Sequence, residues 1–302
     1  MVQLDGPRAG SGAVIPTVTP ERTPVKSAAR VLDIVEILAT APDGLSFTEI
    51  GRCLRLPKSS LHGLLTTLTA RGYVGYDPER HVYGLGIRVW EHGQAFLRHR
   101  DLLGEAGRAM EAIVREINET VQLAVLDGLE NVYLHKVDCS HPVRLQSEVG
   151  KRLEAHATGL GKVLLAYLPP DDLEARLLDQ SLKRFTPYTP TNPDALLREL
   201  EIVRRQGFGV DDQEYTPGLR CVAVPIREPG GRVATAMSAS IPIMRAGPEQ
   251  LAGALRALAR ASLDISNHLG VREDDPRMLV LTHATPDMVS KRFRSDDRVG
   301  SR

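Results

Sequence analysis

Between positions 50 and 76 the chain carries Arg52, Arg55, Lys58 and Arg71 and no acidic residue. The same stretch holds short polar side chains at Ser59, Ser60, His62, Thr66 and Thr67, set around Leu61, Leu64, Leu65 and Leu68. Basic side chains neutralise phosphates and fix register on a nucleic-acid backbone, while hydroxyls and imidazoles at the start of a helix can reach base edges in a major groove. The pattern predicts a DNA-reading helix, with Arg52, Arg55 and Lys58 on phosphates, Ser59, Ser60 and His62 toward bases, and Thr66 and Arg71 on the same surface. Helical hairpins of this kind also serve as protein-interaction modules or as sensors that do not read DNA, and spacing alone leaves that alternative open. Gly63, inside the helix, costs about 1 kcal/mol relative to alanine, which asks for either close packing or a close backbone approach.

A second group of residues suits small-molecule binding. The run ATGLG at 157–161 is a glycine-punctuated helix entry, and free N–H groups at the positive end of a helix make a site for a carboxylate. Two glycines equally permit tight packing of helix on sheet. Ser238 and Ser240 alternate along a predicted strand and face one side. Hydroxyls on an apolar sheet need hydrogen-bond partners, which a ligand or the backbone can supply. Asp212 and Glu214 follow a predicted helix, and Cys221 opens a strand. A small organic acid is the ligand these groups fit.

Enzyme chemistry is less well served. Cys221, His156 and Asp212 could be drawn as a nucleophilic triad, but the apolar strand around Cys221 suits an inert buried thiol. His135, Asp138, Cys139 and His141 fall on a strand and turn that would spread them over both faces, so a solvated loop is expected and no metal. No phosphate-cradling or dinucleotide glycine motif is present. A binding protein without catalytic residues or cofactor is the expectation.

The elements that must position these groups follow from periodicity. Val31, Ile34, Val35 and Leu38 share one face of a first helix; Ser46 and Glu49 have capping-box spacing at a second; Pro57 and Lys58 lead into the third. Two β-prone runs at 73–76 and 81–83, separated by Asp77-Pro-Glu-Arg80, predict a hairpin, completing a winged helix-turn-helix over 26–84. Residues 85–106 read as a linker helix. From 107 to 270, a helix at Met110–Ile117, hairpins around Asp127-Gly128 and Pro229-Gly-Gly231, and further helices at 158–168, 195–206 and 251–269 predict an α+β sandwich with a largely antiparallel sheet. Residues 1–25 and 271–302 read as a flexible arm and a flexible tail, with only 278–281 able to dock.

A chain of 302 residues has room for two cores. Lys plus Arg and Asp plus Glu both number 38, so any DNA surface must come from local segregation of charge. Three widely spaced cysteines without a CxxC pair argue against a disulfide framework and fit a reducing cytoplasm. No apolar run has the length of a signal sequence or membrane span, so no membrane partner is expected.

The runs VKSAARVLDIVEILA, LSFTEIGRCLRLPKSSLHGLLTTLTARGYV and YGLGIRVWEHG, then HATGLGKVLLAYLP, GFGVDDQEYTPGLRCVAVPIREPGG and ATAMSASIP, resemble the IclR family of bacterial transcription regulators in this order across about 25–269. That resemblance implies a GAF/profilin-like effector-binding domain behind the winged helix. It also implies a pocket at Gly159, Leu160, Asp212, Cys221, Ser238 and Ser240, with Leu145 and Leu153 as apolar walls. The implied partners are double-stranded operator DNA, a small carboxylate or aromatic acid, and a second copy of the chain, as a homodimer or dimer of dimers. Repressors and activators both occur in such a family.

Overall fold

The computed structural model describes residues 25–98, 102–144, 147–178 and 180–293. The expected arm at 1–25 lies almost wholly outside the described residues, as do Leu145 and 294–302. The chain divides into two compact units between Phe96 and Leu97.

The first unit runs α1 (Lys26–Ala39), β1 (Leu45–Ser46), α2 (Phe47–Leu54), α3 (Lys58–Ala70), β2 (Val74–Asp77), β3 (Val82–Leu85) and α4 (Ile87–Arg98). The capping box forms: Ser46 N–H donates to the Glu49 carboxylate at 2.8 Å, and Glu49 N–H donates to Ser46 Oγ at 3.3 Å. Two otherwise free donors at the start of α2 are thereby satisfied. Arg55 ends α2 with a left-handed backbone, φ 51°. The wing is a three-stranded antiparallel sheet of order β1-β3-β2, in which Leu45 pairs with Tyr83 and so does Tyr76. Ile34, Leu38, Ile50, Leu61, Leu65, Leu68 and Val74 form its core.

The second unit runs α5 (Leu102–Ile117), β4 (Thr120–Asp127), β5 (Glu130–Val137), β6 (Arg152–Glu154), a 3-10 turn (Ala155–Ala157), α6 (Gly159–Ala166), α7 (Pro170–Leu177), α8 (Pro193–Gln206), β7 (Gly209–Asp212), β8 (Leu219–Arg227), β9 (Val233–Pro242), α9 (Pro248–His268), α10 (Pro276–Leu281) and α11 (Pro286–Ser290). Its antiparallel sheet has order β6-β5-β4-β9-β8-β7. Alternation sends Val121, Leu123, Val222, Val224, Met237 and Ile241 to the face covered by α5 and α9. Ala124, Tyr133, Ala223 and Ala236 go to the face shared with α6 and α8.

Two expectations change. The helix α5 puts Leu102, Ala106, Met110 and Ile113 into the second core, so it crosses the boundary drawn at 106/107. The segment from 271 is not a flexible tail as far as 293: α10 and α11 pack on α9 and bury Met278, Leu281, Ala284 and Val289. Asp275 anchors them, capping α10 through Arg277 N–H and taking the Arg227 guanidinium at 2.7 Å. Four apolar side chains and a cap outweigh the polar composition that suggested disorder.

Candidate functional site

On α3 the leucines turn inward and the polar positions turn outward. Leu61, Leu65 and Leu68 are buried, while Lys58, Ser59, His62, Gly63 and Thr66 are exposed and Ser60 is half-buried. Arg52, Arg55 and Arg71 are exposed as well, so the four cations and the hydroxyl face belong to one unit. Thr67 is folded back, its hydroxyl donating to the Gly63 carbonyl at 2.9 Å. A methyl group at Gly63 would meet nothing within 4 Å, so packing inside the protein does not require that glycine.

In the second unit, a cavity of about 250 Å³ opens between the sheet and the start of α6. Leu153, Gly159, Leu160, Cys221, Ser238 and Ser240 line it, six of the eight residues assigned to a pocket by resemblance. Asp212 is not among them. β7 pairs with β8 so that Asp211 stands opposite Cys221 and Asp212 opposite Arg220. Period-two alternation therefore turns Asp211 into the cavity and Asp212 to the other face, where Arg220 Nε donates to it at 2.9 Å. The acidic residue of this cavity is Asp211.

Thr158 caps α6, accepting from Gly161 N–H at 3.0 Å and donating to Asn131 Oδ1 at 2.7 Å. Gly161 is a packing glycine: an added Cβ would lie 2.2 Å from Ala155. At Gly159 the nearest atom to such a Cβ is 3.5 Å away, an ordinary contact, and the residue stands on the cavity wall. The N–H groups of Gly159 and Leu160 come too early in the helix to have intrahelical acceptors.

Ser238 and Ser240 both donate to Gln122 Oε1 at 3.1 Å. The Gln122 amide nitrogen, fully buried beside them, has no hydrogen-bond partner in the protein; nor have Asn131 Nδ2 and the Ser147 hydroxyl. Buried donors without acceptors are uncommon and mark a place where another molecule can accept. Tyr133, Ser147, Lys151, Thr158, Asp211, Tyr215, Thr216 and Leu219 complete the lining, and sequence reasoning missed them. Asp211 follows only from the register of β7 on β8, and the others come from distant strands and loops.

Burial first, and then the neighbouring Glu214 carboxylate, pushes the Asp211 carboxyl up to about 8, against the pull of Lys162. Burial likewise raises the Cys221 thiol, with Asp211 adding to the effect, so it stays protonated. No triad forms around it: Cys221 Sγ is 3.3 Å from Ser240 Oγ, and the His156 ring bonds the Lys183 carbonyl at 2.9 Å. Among the described residues no three His, Cys, Asp or Glu side chains converge as metal ligands. His141 instead bonds Asn118, and Cys139 lies against Thr120. No helix among them is long and apolar enough to cross a membrane.

Residues 27–78 match the model of the IclR helix-turn-helix domain, and residues 94–267 match that of the bacterial transcriptional regulator IclR C-terminal domain. The transcriptional regulator XynR of Escherichia coli is 35% identical over 246 residues, 82% of this chain and 98% of that protein. The regulator KdgR of the same organism is 34% identical, over 82% and 94% of the two chains. Among solved structures, an IclR homologue from Microbacterium hydrocarbonoxydans, crystallised with 4-hydroxybenzoate, superposes with a TM-score of 0.70 at 29% identity, over 80% of this chain and 98% of that one. XynR and KdgR are helix-turn-helix-type transcriptional regulators, and by sequence and fold alike this chain belongs to the IclR family of helix-turn-helix transcriptional regulators.

Proposed function

We propose that the chain reads a palindromic operator as a homodimer or dimer of dimers, and that a small carboxylic or aromatic acid bound in the cavity of the second unit changes its operator affinity. The observation that carries the effector reading is a set of donors without protein acceptors at and behind the cavity wall: the Ser147 hydroxyl on the lining, and the buried amide nitrogens of Gln122 and Asn131, whose oxygens bond the lining Ser238, Ser240 and Thr158. A carboxylate supplies two acceptor oxygens and the charge that a helix N-terminus favours. The 4-hydroxybenzoate held by the Microbacterium homologue is of this class.

One winged helix covers one half-site, and specific affinity takes two. Leu32 on α1 and Ile87 and Trp90 on α4 are each more than half exposed, apolar area that suits a second copy. The phenol of Tyr73 bonds the His92 ring at 2.8 Å and so fixes α4 on the wing. An effector can alter DNA binding only through different affinities for two arrangements of the DNA-reading units, a coupling of about 1 to 3 kcal/mol.

The test is an electrophoretic shift against DNA flanking the protein's own gene, with salt varied. A specific complex is expected whose salt slope falls by about one for each of Arg52→Ala and Lys58→Ala. Absence of a specific complex at every salt concentration would sink the operator reading. For the cavity, a thermal-shift series with small carboxylic acids should raise the melting temperature of wild type and not of a Ser238→Ala, Ser240→Ala double variant. A full response in that variant would remove the pocket assignment.

A further inference from the structure

The cavity that suits an anion has a carboxyl in its wall. Asp211 is 3% exposed and faces inward from β7. From the turn after β7, Glu214 N–H donates to Asp211 Oδ1 at 2.6 Å, and Tyr215 lines the same wall. From α6, the buried Lys162 ammonium gives 2.8 Å bonds to both oxygens of Glu214 and lies 3.8 Å from Glu199, so this cation is committed. From β8 comes the Cys221 thiol, from β5 the Tyr133 phenol, and from the segment before β6 the Ser147 hydroxyl and the exposed Lys151. Asp212 looks the other way, onto Arg220.

Counted as charges, Lys162 balances Glu214. Lys151, the other cation on the lining, is exposed to water, so an ionised Asp211 would leave the buried wall negative before any acid entered, and an entering carboxylate would face a like charge in a water-poor site. A neutral carboxyl removes the conflict and adds an O–H donor to a cavity already equipped with donors.

We propose that Asp211 stands in the cavity as a neutral carboxylic acid and hydrogen-bonds through its proton to the bound effector anion, so that binding selects acceptor-bearing ligands and is linked to protonation of this residue. The inference rests on the effector reading above. No proton changes hands in the complex: it stays on Asp211, shared with a ligand oxygen. Where Asp211 is ionised in the free protein, binding an anion must take one proton from solvent, and Kd then rises by up to about tenfold per pH unit.

Two measurements on the full chain decide it. In protein carrying ¹³C-carboxyl aspartate, with Asp211→Asn used for assignment, the Asp211 signal should keep the neutral-acid shift past pH 7 without ligand. Titration near pH 4 would overturn the proposal. Calorimetry with acetate, pyruvate, benzoate and 4-hydroxybenzoate, in two buffers of different ionisation heat, should give no proton uptake at pH 6.5. At pH 9 it should give about one proton per ligand bound and a weaker Kd. The Asn variant, whose amide is the weaker donor, should bind about three- to tenfold less tightly at pH 7 and lose the pH dependence. Binding of equal affinity from pH 6.5 to 9.5 in wild type would overturn the inference and leave the effector reading intact. Binding by none of the four acids would instead count against the effector reading, and the carboxyl titration would still decide the state of Asp211.

Discussion

α3 and α6 are both short helices that begin among small polar residues, yet water reaches one and not the other. On α3, Lys58, Ser59, His62, Gly63 and Thr66 stand exposed over a leucine face; on α6, all eight residues from Gly159 to Ala166 are buried. A helix that must meet a large partner keeps its polar atoms solvated until the partner arrives, and its substitutions are nearly free of folding consequences. A helix that forms the wall of an internal cavity has its polar atoms committed to the fold, and function and stability cannot be separated there.

Lys162 is where that contrast should show most strongly. Replacing it by alanine leaves Glu214 buried without its cation, which destabilises by about 3 to 5 kcal/mol. Thermal unfolding should lose that amount in Lys162→Ala and recover much of it in Lys162→Met, Glu214→Leu. Lys58→Ala, on the other helix, should stay within about 0.5 kcal/mol of wild type while weakening DNA binding. Equal stability losses at Lys58 and Lys162 would erase the distinction between the two helices.

Gly161 gives the next largest effect. A methyl group 2.2 Å from the Ala155 backbone cannot be accommodated without moving α6, and overpacking of this sort costs about 1 to 3 kcal/mol. Gly161→Ala should lower the melting temperature and blunt any ligand response together, whereas Gly159→Ala, with 3.5 Å of clearance, should change ligand affinity more than stability.

What could be read from the sequence follows the same division. The capping pair Ser46 and Glu49, the α3 leucines and the same-facing Ser238 and Ser240 are local patterns of known period, and the structure has each of them. Asp211 was missed in favour of Asp212 because the choice depends on the register of β7 against β8, and all four β7 residues are buried, so no alternation shows. Gln122 lies 116 residues from the Ser238 it bonds, a pairing no local pattern encodes. Beyond the apolar run 278–281, the helices after 275 do not show in the sequence because their buried apolar residues, Met278, Leu281 and Val289, with Ala284 between the helices, are spread over two short elements among polar neighbours.

Two of the buried aspartates of this unit, Asp275 and Asp211, give opposite pH signatures. For Asp275, burial works to raise the carboxyl, but hydrogen bonds from Arg277 and Arg227 win and hold it below the ordinary range. Its contribution is complete above about pH 4 and lost as pH falls through the depressed value. Asp211 is raised to about 8, so its contribution is complete below pH 4 and lost as pH rises toward and through 8. Asp275→Ala, which also removes the α10 cap, should cost about 1 to 3 kcal/mol near neutral pH and expose the segment from 271 to protease. A segment equally resistant in the variant would mean that Met278, Leu281 and Val289 hold it without the ion pairs.

The smallest effect is also the one that best separates the two helices. Gly63 sits in the middle of α3 with open space where a Cβ would be, so nothing inside the protein requires glycine there. Gly63→Ala should therefore stabilise the first unit by up to about 1 kcal/mol. A close approach of the helix backbone to DNA would make the same methyl group an obstacle. The two consequences run in opposite directions and are read separately, one by thermal unfolding and the other by operator affinity at fixed salt. A higher melting temperature with weaker operator binding is the expected outcome and would place Gly63 against the DNA. A variant that is both more stable and equally tight would show that the groove does not come close at this position and would leave recognition to Ser59, His62 and Thr66.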